Sequence, residues 1–394
     1  MTQESSDNGN RRRRRLIGEL EKHRQSKVVA YTISDRENAS AQIGDDAVRP
    51  LYDHFRRIGK VSKVDLLIYS RGGSTDTPWR IVSLVREFAD EFAVLIPYRA
   101  MSAATMIALG ADEIVMCPKG ELGPIDPQLK QIHSSPDGER TQEEISVEDI
   151  MAYVRFLKDE VGLSDQNVLG TQAASLTDKL SPQILGKIYR GHSHIRSVAR
   201  KLLEAHSSKF EIDGPAIDVI VDTLAEKTFE HGHAIGRREA REIGLNIVEP
   251  DKVCEDLIWN IFEEYESLFC LDSPIDPHTF IPDNQEERIE PLVMACIESL
   301  ALAHHFTAEL KGRHQRNMPP QLNLNLNVQL QMPAGIDPST MPVEQQALLQ
   351  ELVRAAQIQA EQAVQEQISQ QAPIVGFSGQ IQRTGWRELG GWAA

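Results

Sequence analysis

Two short segments carry residue types that together could hydrolyse an amide. Ser70-Arg71-Gly72-Gly73-Ser74 follows one β-rich run, and Arg99-Ala100-Met101-Ser102-Ala103-Ala104-Thr105 follows the next. A hydroxyl nucleophile needs backbone N–H donors aimed at the oxyanion that develops on the carbonyl, and glycine lets the backbone come that close. Gly72 and Gly73 can shape such a hole. Ser102 stands where a strand turns into a helix, so the N–H of Ala103 lies at a helix N-terminus, which favours an anion. Taken singly, each motif has a plainer meaning. A Gly-Gly pair after a strand is more often a turn, and a serine before a helix is more often an N-cap.

The elements around these segments decide whether they meet. Val28–Ile33 and Val64–Ser70 read as buried strands, and Trp79, Ile81, Val82, Leu84, Val85 and Phe88 recur at helical spacing. Ala93–Ile96 follows as a third strand. Ser102–Leu109 is small and apolar enough for a buried helix that Gly110 ends, and Glu113–Cys117 is a fourth strand. Stacked βαβ units imply right-handed crossovers, a parallel sheet and an α/β domain. Both motifs then fall at strand carboxyl ends, where open α/β sheets place their sites.

Four segments, taken in order, resemble the serine dehydrogenase proteinase family. They are Ile68–Gly73, Ala100–Thr105, Ala108–Met116 and Gly120–Gln128. That family is a branch of the superfamily of caseinolytic protease, signal peptide peptidase A and crotonase, and the resemblance spans residues 28–249. It implies a caseinolytic-protease/crotonase-like fold with added helices, a serine peptidase with Ser102 as nucleophile, and an oxyanion hole from Gly72, Gly73 and Ala103.

The second catalytic group follows less directly. The resemblance sets Asp126 near the place of caseinolytic protease's histidine, with His133 close by in sequence, which argues against a Ser-His-Asp triad. Signal peptide peptidases use a lysine from a later helix. Here Lys158 is the candidate, although Arg155 aligns best with that lysine and cannot act as a base. Lys158 is one turn further along the same face. Beside Asp159 and Glu160 it equally fits a solvated surface lysine, and Lys179 and Lys187 stand in reserve. His231 and His233 read as structural or substrate-lining rather than as metal ligands.

The resemblance leaves two rivals to a peptidase: a crotonase-type acyl-CoA enzyme, and an inactive assembly protein on the same fold. The serine at the strand–helix junction favours the peptidase. Its partners would be a peptide or protein substrate, copies of itself in a homo-oligomer, and a separate unfolding protein, because the sequence lacks a GxxxxGK[ST] loop.

The chain has 394 residues, 41% of them hydrophobic, and a formal charge of −16, which excludes a general nucleic-acid binder. The basic exception is Arg11–Arg15. It reads as a flexible solvated arm, as an anchor for an anionic membrane or RNA, or as the exposed start of a helix. The four cysteines show no metal or disulfide spacing, so no metal or cofactor is expected. No apolar stretch of about 18 residues is present, and a soluble cytoplasmic protein is the expectation.

The organisation expected is a basic arm and helix over residues 1–26, the peptidase domain over 27–250, a helical extension over 251–318, and a Gln/Asn-rich tail over 319–394. Within the extension, Leu257–Phe269 and Pro291–Leu310 read as amphipathic helices. Leu322, Leu324, Leu326, Val328 and Leu330 alternate with Asn and Gln as in a half-buried strand. Glu344–Gln371 reads as a helix for oligomerisation or docking, and the segment Gly376–Trp392 as loosely ordered.

Overall fold

The computed structural model describes residues 3–125, 128–134, 140–206, 213–227, 233–276, 279–282, 285–317, 341–390 and 392. The chain divides into two compact units. One comprises residues 1–274, 292–308 and 384–394, and the other residues 275–291 and 309–383.

The first unit opens with α1 (Gln3–Arg24) and then alternates strand and helix. The order is β1 (Lys27–Ile33), α2 (Val48–Ile58), β2 (Val61–Tyr69), α3 (Thr77–Phe88), β3 (Ala89–Ile96), α4 (Ala103–Leu109) and β4 (Glu113–Met116). The four strands lie side by side in chain order and pair in parallel, with Tyr31 opposite Ile68, Leu66 opposite Val94 and Leu95 opposite Val115. Because the strands step one way and the crossovers are right-handed, α2, α3 and α4 share one face of the sheet.

Side chains alternate across a strand, so each strand feeds two cores. Val29, Tyr31, Leu66, Ile68, Val94 and Ile96 pack with Leu51, Phe55, Val85 and Met106 of the crossover helices. Val28, Ala30, Leu67, Leu95 and Val115 pack with Leu16, Ile17 and Leu20 of α1 on the opposite face. All seven residues of α4 are buried, as its small apolar sequence requires.

After β4 come the hairpin strands β5 (Gln128–Ser134) and β6 (Arg140–Ser146), then the helices α5 (Val147–Arg155), α6 (Gln166–Lys179), α7 (Pro182–Glu204), α8 (Gly214–Asp222) and α9 (Arg237–Ile243). Gly244 ends α9 in the left-handed conformation, φ 107°, as a glycine C-cap. The short strand β7 (Ile247–Val248) pairs with β4 at the sheet edge, and α10 (Lys252–Phe269) joins α1 in the second core.

Three expectations are corrected. The arginine run is not a flexible arm, because it lies inside α1 and Arg13 is buried. Residues 291–310 are not a helix. They belong to β8 (Glu287–Glu298), which is antiparallel to β1, and to β9 (Ala303–Arg316). Leu292, Met294, Ala295, Cys296 and Ile297 are all buried, so both faces of the strand are apolar and the period of two vanishes from the sequence. The expected loose tail contains β10 (Ile374–Glu388), and the full sheet order is β7-β4-β3-β2-β1-β8-β9-β10.

In the second unit, Gly312 leaves room for Phe280 and Phe377, whose rings meet edge to face at 5.8 Å. The helix expected near the chain end is α11 (Val343–Gln371). Its Leu348 and Leu352 are exposed, whereas Leu349, Val353 and Ala356 are half-buried. The alternating Leu322–Leu330 segment lies outside the described residues. Among the described residues, no helix is long and apolar enough to cross a membrane.

Candidate active site

The carboxyl ends of β2 and β3 bring the two motifs together. Arg99 O accepts from Ser70 N–H at 3.0 Å, and Ser70 O accepts from Met101 N–H at 3.0 Å, so parallel pairing continues past the strands into both loops. Ser70 Oγ then accepts from Gly72 N–H at 2.9 Å and bends the chain. Gly72 has φ 107°, where only glycine is at ease. A Cβ there would lie 2.7 Å from Ser102 Cβ and 2.9 Å from Met101 O, so Gly72 is required both by its conformation and by its approach to Ser102.

Gly73 is fixed from the other side. A Cβ on it would meet Ile43 O at 2.2 Å. Ile43 N–H donates to Gly72 O at 2.8 Å, and Ser74 N–H donates to Ile43 O at 2.9 Å. The glycine pair is therefore clamped between the β1–α2 loop and the turn that carries Ser102.

Ser102 sits at φ 50°, ψ −112°, just before α4, and its side chain makes no capping bond. A positive φ costs a non-glycine residue about 1–3 kcal/mol. The plain N-cap meaning of this serine therefore does not hold. Ser102 is half-buried, and among the described residues no side chain forms a hydrogen bond with its Oγ. Ala103 N–H belongs to the first turn of α4, where no intrahelical acceptor exists.

The third and fourth motifs brace this turn. Thr105 Oγ donates to Ala100 O at 2.7 Å and accepts from Gly123 N–H at 3.1 Å. A Cβ on Gly123 would lie 3.0 Å from Met101 Sδ, so this glycine lets the segment lie against the residue before Ser102. Leu122 and Ile235 exchange two backbone hydrogen bonds, which hold the same segment from behind.

Asp35, at the carboxyl end of β1, was missed as a site residue. Its carboxylate accepts from Tyr69 Oη at 2.5 Å, Arg71 Nε at 2.8 Å and an Arg99 guanidinium nitrogen at 3.1 Å. Burial by itself would raise the Asp35 carboxyl, but the Tyr69 hydroxyl and the Arg71 guanidinium outweigh it and hold the group below the usual carboxylate range. Tyr69 is pushed well up, first by burial and then by its bond to Asp35. Arg71 precedes Gly72 and Arg99 lies three residues before Ser102, so one carboxylate ties together the loops on both sides of the site. The available signal was position: Asp35 follows a strand end, as both motifs do.

Of the remaining expected residues, Lys158 is exposed on the π-type turn that follows α5, Arg155 is half-buried at the end of α5, and Lys187 is exposed on α7. Lys179 closes α6, and His133 falls on β5. Asp126 and His231 lie outside the described residues. His233 Nε2 lies 2.8 Å from Glu239 Oε1 in an exposed pair, the carboxylate partner that its sequence neighbours did not reveal.

One buried cluster has the composition of a metal site: potential ligand atoms of Cys296, Glu298 and His305 lie within 4.8 Å of one another. Glu298, however, already accepts from Arg13 at 2.8 and 2.9 Å, from Tyr265 Oη at 2.8 Å, and lies 2.8 Å from His305 Nε2. Burial would raise this carboxyl, but the Arg13 charge dominates and holds it low. Burial pushes the Cys296 thiol up, so it keeps its proton. The guanidinium occupies the role a cation would take, and the cluster does not fit a metal.

Residues 3–150 match the model of the ClpP-like SDH-type serine proteinase family, which bears out the resemblance over that part of the chain. The family is one of serine proteinases. An uncharacterized protein of Methanocaldococcus jannaschii is 32% identical over 109 residues, 28% of this chain and 37% of that one. A second from the same organism is 31% identical over 132 residues, 30% of this chain and 43% of its own length. The chain thus spans less than half the length of these curated relatives. Among solved structures, a membrane-bound stomatin-specific protease is similar over 58% of this chain and 83% of its own, at 14% identity and a TM-score of 0.33. An enoyl-CoA isomerase from M. smegmatis is similar over 63% and 90%, at 14% identity and a TM-score of 0.26.

Proposed function

We propose that this protein is a serine peptidase in which Ser102 attacks a peptide carbonyl and the N–H groups of Gly73 and Ala103 hold the oxyanion. One observation carries the reading: Ser102 is kept at a strained positive φ with its hydroxyl outside any capping bond, while Gly72 packs against its Cβ. Backbone strain of this kind clusters at active sites, where the surrounding structure holds it in place. Attack forms a tetrahedral intermediate, the amine leaves, and water releases the acyl-enzyme.

The proton from Ser102 goes to a lysine, with Lys158 the first candidate and Lys179 and Lys187 next. An amine acts as a base once burial has disfavoured its charged form. Lys158 and Lys187 are exposed in the single chain, so in this reading homo-oligomerisation or substrate binding dehydrates the lysine that serves. A fluorophosphonate probe tests the nucleophile: the parent is labelled and Ser102→Ala is not, with an unchanged circular dichroism spectrum. Equal labelling of both would falsify the assignment. Single Lys→Ala changes then identify the base as the one that slows labelling and peptide cleavage together.

A further inference from the structure

The five consecutive arginines do two kinds of work. Arg13 is buried on Glu298, and Arg12 Nε lies 2.9 Å from Glu264. Arg11, Arg14 and Arg15 instead line a cavity of about 950 Å³ beside α1, at the upper end of the size of small-molecule sites. Lys22 lies one face-repeat further along the same helix and lines it too, as does Lys27 at the start of β1. Two acidic residues, Glu19 and Glu21, offset these five cations: Arg15 Nε lies 3.7 Å from Glu19 and Lys27 Nζ 2.9 Å from Glu21, which leaves Arg11, Arg14 and Lys22 as the excess over the lining carboxylates. An excess of positive charge is thus gathered in one concavity of a chain whose formal charge is −16.

We propose that this cleft binds a linear chain of phosphates, whether inorganic polyphosphate or the triphosphate of a nucleotide. The cations from Arg11 to Lys22 run about 16 Å along the helix, a row of charge rather than a single anion hole. Gly18 lies in the middle of that row. It lines the cleft, and a Cβ there would make only ordinary contact with Leu300 at 3.5 Å, so a larger side chain can be placed at this point without a backbone clash. Trp392 also lines the cleft but is buried, and its indole N–H donates to Ser299 O at 2.6 Å. Among its described lining residues the cleft therefore has no exposed aromatic platform of the kind on which single-stranded RNA bases stack. Its concavity suits a slender anion better than a flat bilayer. It opens beside Lys27 and the turn after β8, at the opposite end of β1 from the loops that hold Ser102, so the proposal stands apart from the peptidase reading.

Calorimetric titration of the full chain with tripolyphosphate and with ATP, at low and raised salt, tests it. Both bind in the parent and weaken as salt rises. Similar affinities mean that the phosphate chain alone is recognised, and tighter ATP binding means a nucleotide. Arg11→Gln/Arg15→Gln/Lys22→Gln weakens binding at least about tenfold, because charge-assisted hydrogen bonds are lost at exposed positions that folding does not need. Gly18→Met fills the cleft without changing charge and weakens binding comparably, with melting temperature and Ser102 labelling as controls of the fold. The idea fails if neither ligand binds the parent, if both variants bind like the parent, or if an RNA oligomer binds more tightly than either phosphate compound.

Discussion

The loops at the carboxyl ends of β1, β2 and β3 and the interior beside α1 handle polar residues in opposite ways. At the carboxyl ends, the backbone is held away from its preferences, with Ser102 at φ 50° and Gly72 at φ 107°. Ser102 Oγ is left outside any described bond. Beside α1, Glu298 is fully buried and each of its oxygens accepts from Arg13, with Tyr265 Oη a further donor. The first region keeps a strained serine whose hydroxyl has no described partner; the second pairs the Arg13 charge it buries with Glu298. That contrast separates residues kept for chemistry from residues kept for folding more reliably than residue type does.

Breaking each region separately should give opposite results. Glu298→Ala leaves the Arg13 charge buried and alone, which costs about 3–5 kcal/mol, read by denaturant melting. Labelling of Ser102 per folded molecule should be unchanged. A loss of labelling at full stability would mean that the network belongs to the site.

Acid probes a second buried cluster, on α2, where His54 Nδ1 lies 2.8 Å from Ser299 Oγ and its Nε2 3.1 Å from His304 Nδ1. Burial lowers the pKa of His54 from 6.5 to about 3, so the folded protein holds it neutral whereas the unfolded chain takes up a proton. Its contribution is complete above about pH 6.5 and is lost as pH falls toward 3, at up to about 1.4 kcal/mol per pH unit. Glu298 and Asp35, both held low, act in the same sense, since their contributions disappear as pH falls through their folded values. His54→Gln should flatten the acid limb of a stability–pH curve between about 6 and 4; an unchanged limb would remove His54 as its source.

Gly72→Ala inverts the pattern. The new methyl collides with Ser102 Cβ in a left-handed conformation, so stability should fall by about 1–2 kcal/mol in denaturant melting while fluorophosphonate labelling drops at least tenfold. The smallest effect belongs to Arg12→Ala. That pair with Glu264 is largely exposed on the arginine side, and its loss should cost less than about 1 kcal/mol beside the much larger penalty expected at Arg13.

Much of the first unit was legible in the sequence. Val28–Ile33, Val64–Ser70, Ala93–Ile96 and Glu113–Cys117 announce themselves because buried parallel strands are short apolar runs separated by helical periodicity. The meeting of Gly72 with Ser102 follows from parallel pairing once those strands are known. Residues 291–310 misled because a strand apolar on both faces has no period to distinguish it from a helix. The histidines and the lysine candidates remained ambiguous for a related reason: a titratable side chain takes its role from what surrounds it, and spacing along the chain does not report that.

The order of the four motifs, the α/β character and the placing of Ser102 after a strand were therefore determined by the sequence alone, through local patterns that recur every two or four residues. The fate of the arginine run was decided only by tertiary structure, because Arg13 and Glu298 lie 285 residues apart and meet only when β8 joins β1. The same holds at the candidate site. In the proposed reading the glycine pair shapes an oxyanion hole only when Ile43 and Ser102 close on it from separate segments, and contacts of that range leave no periodic trace in the chain.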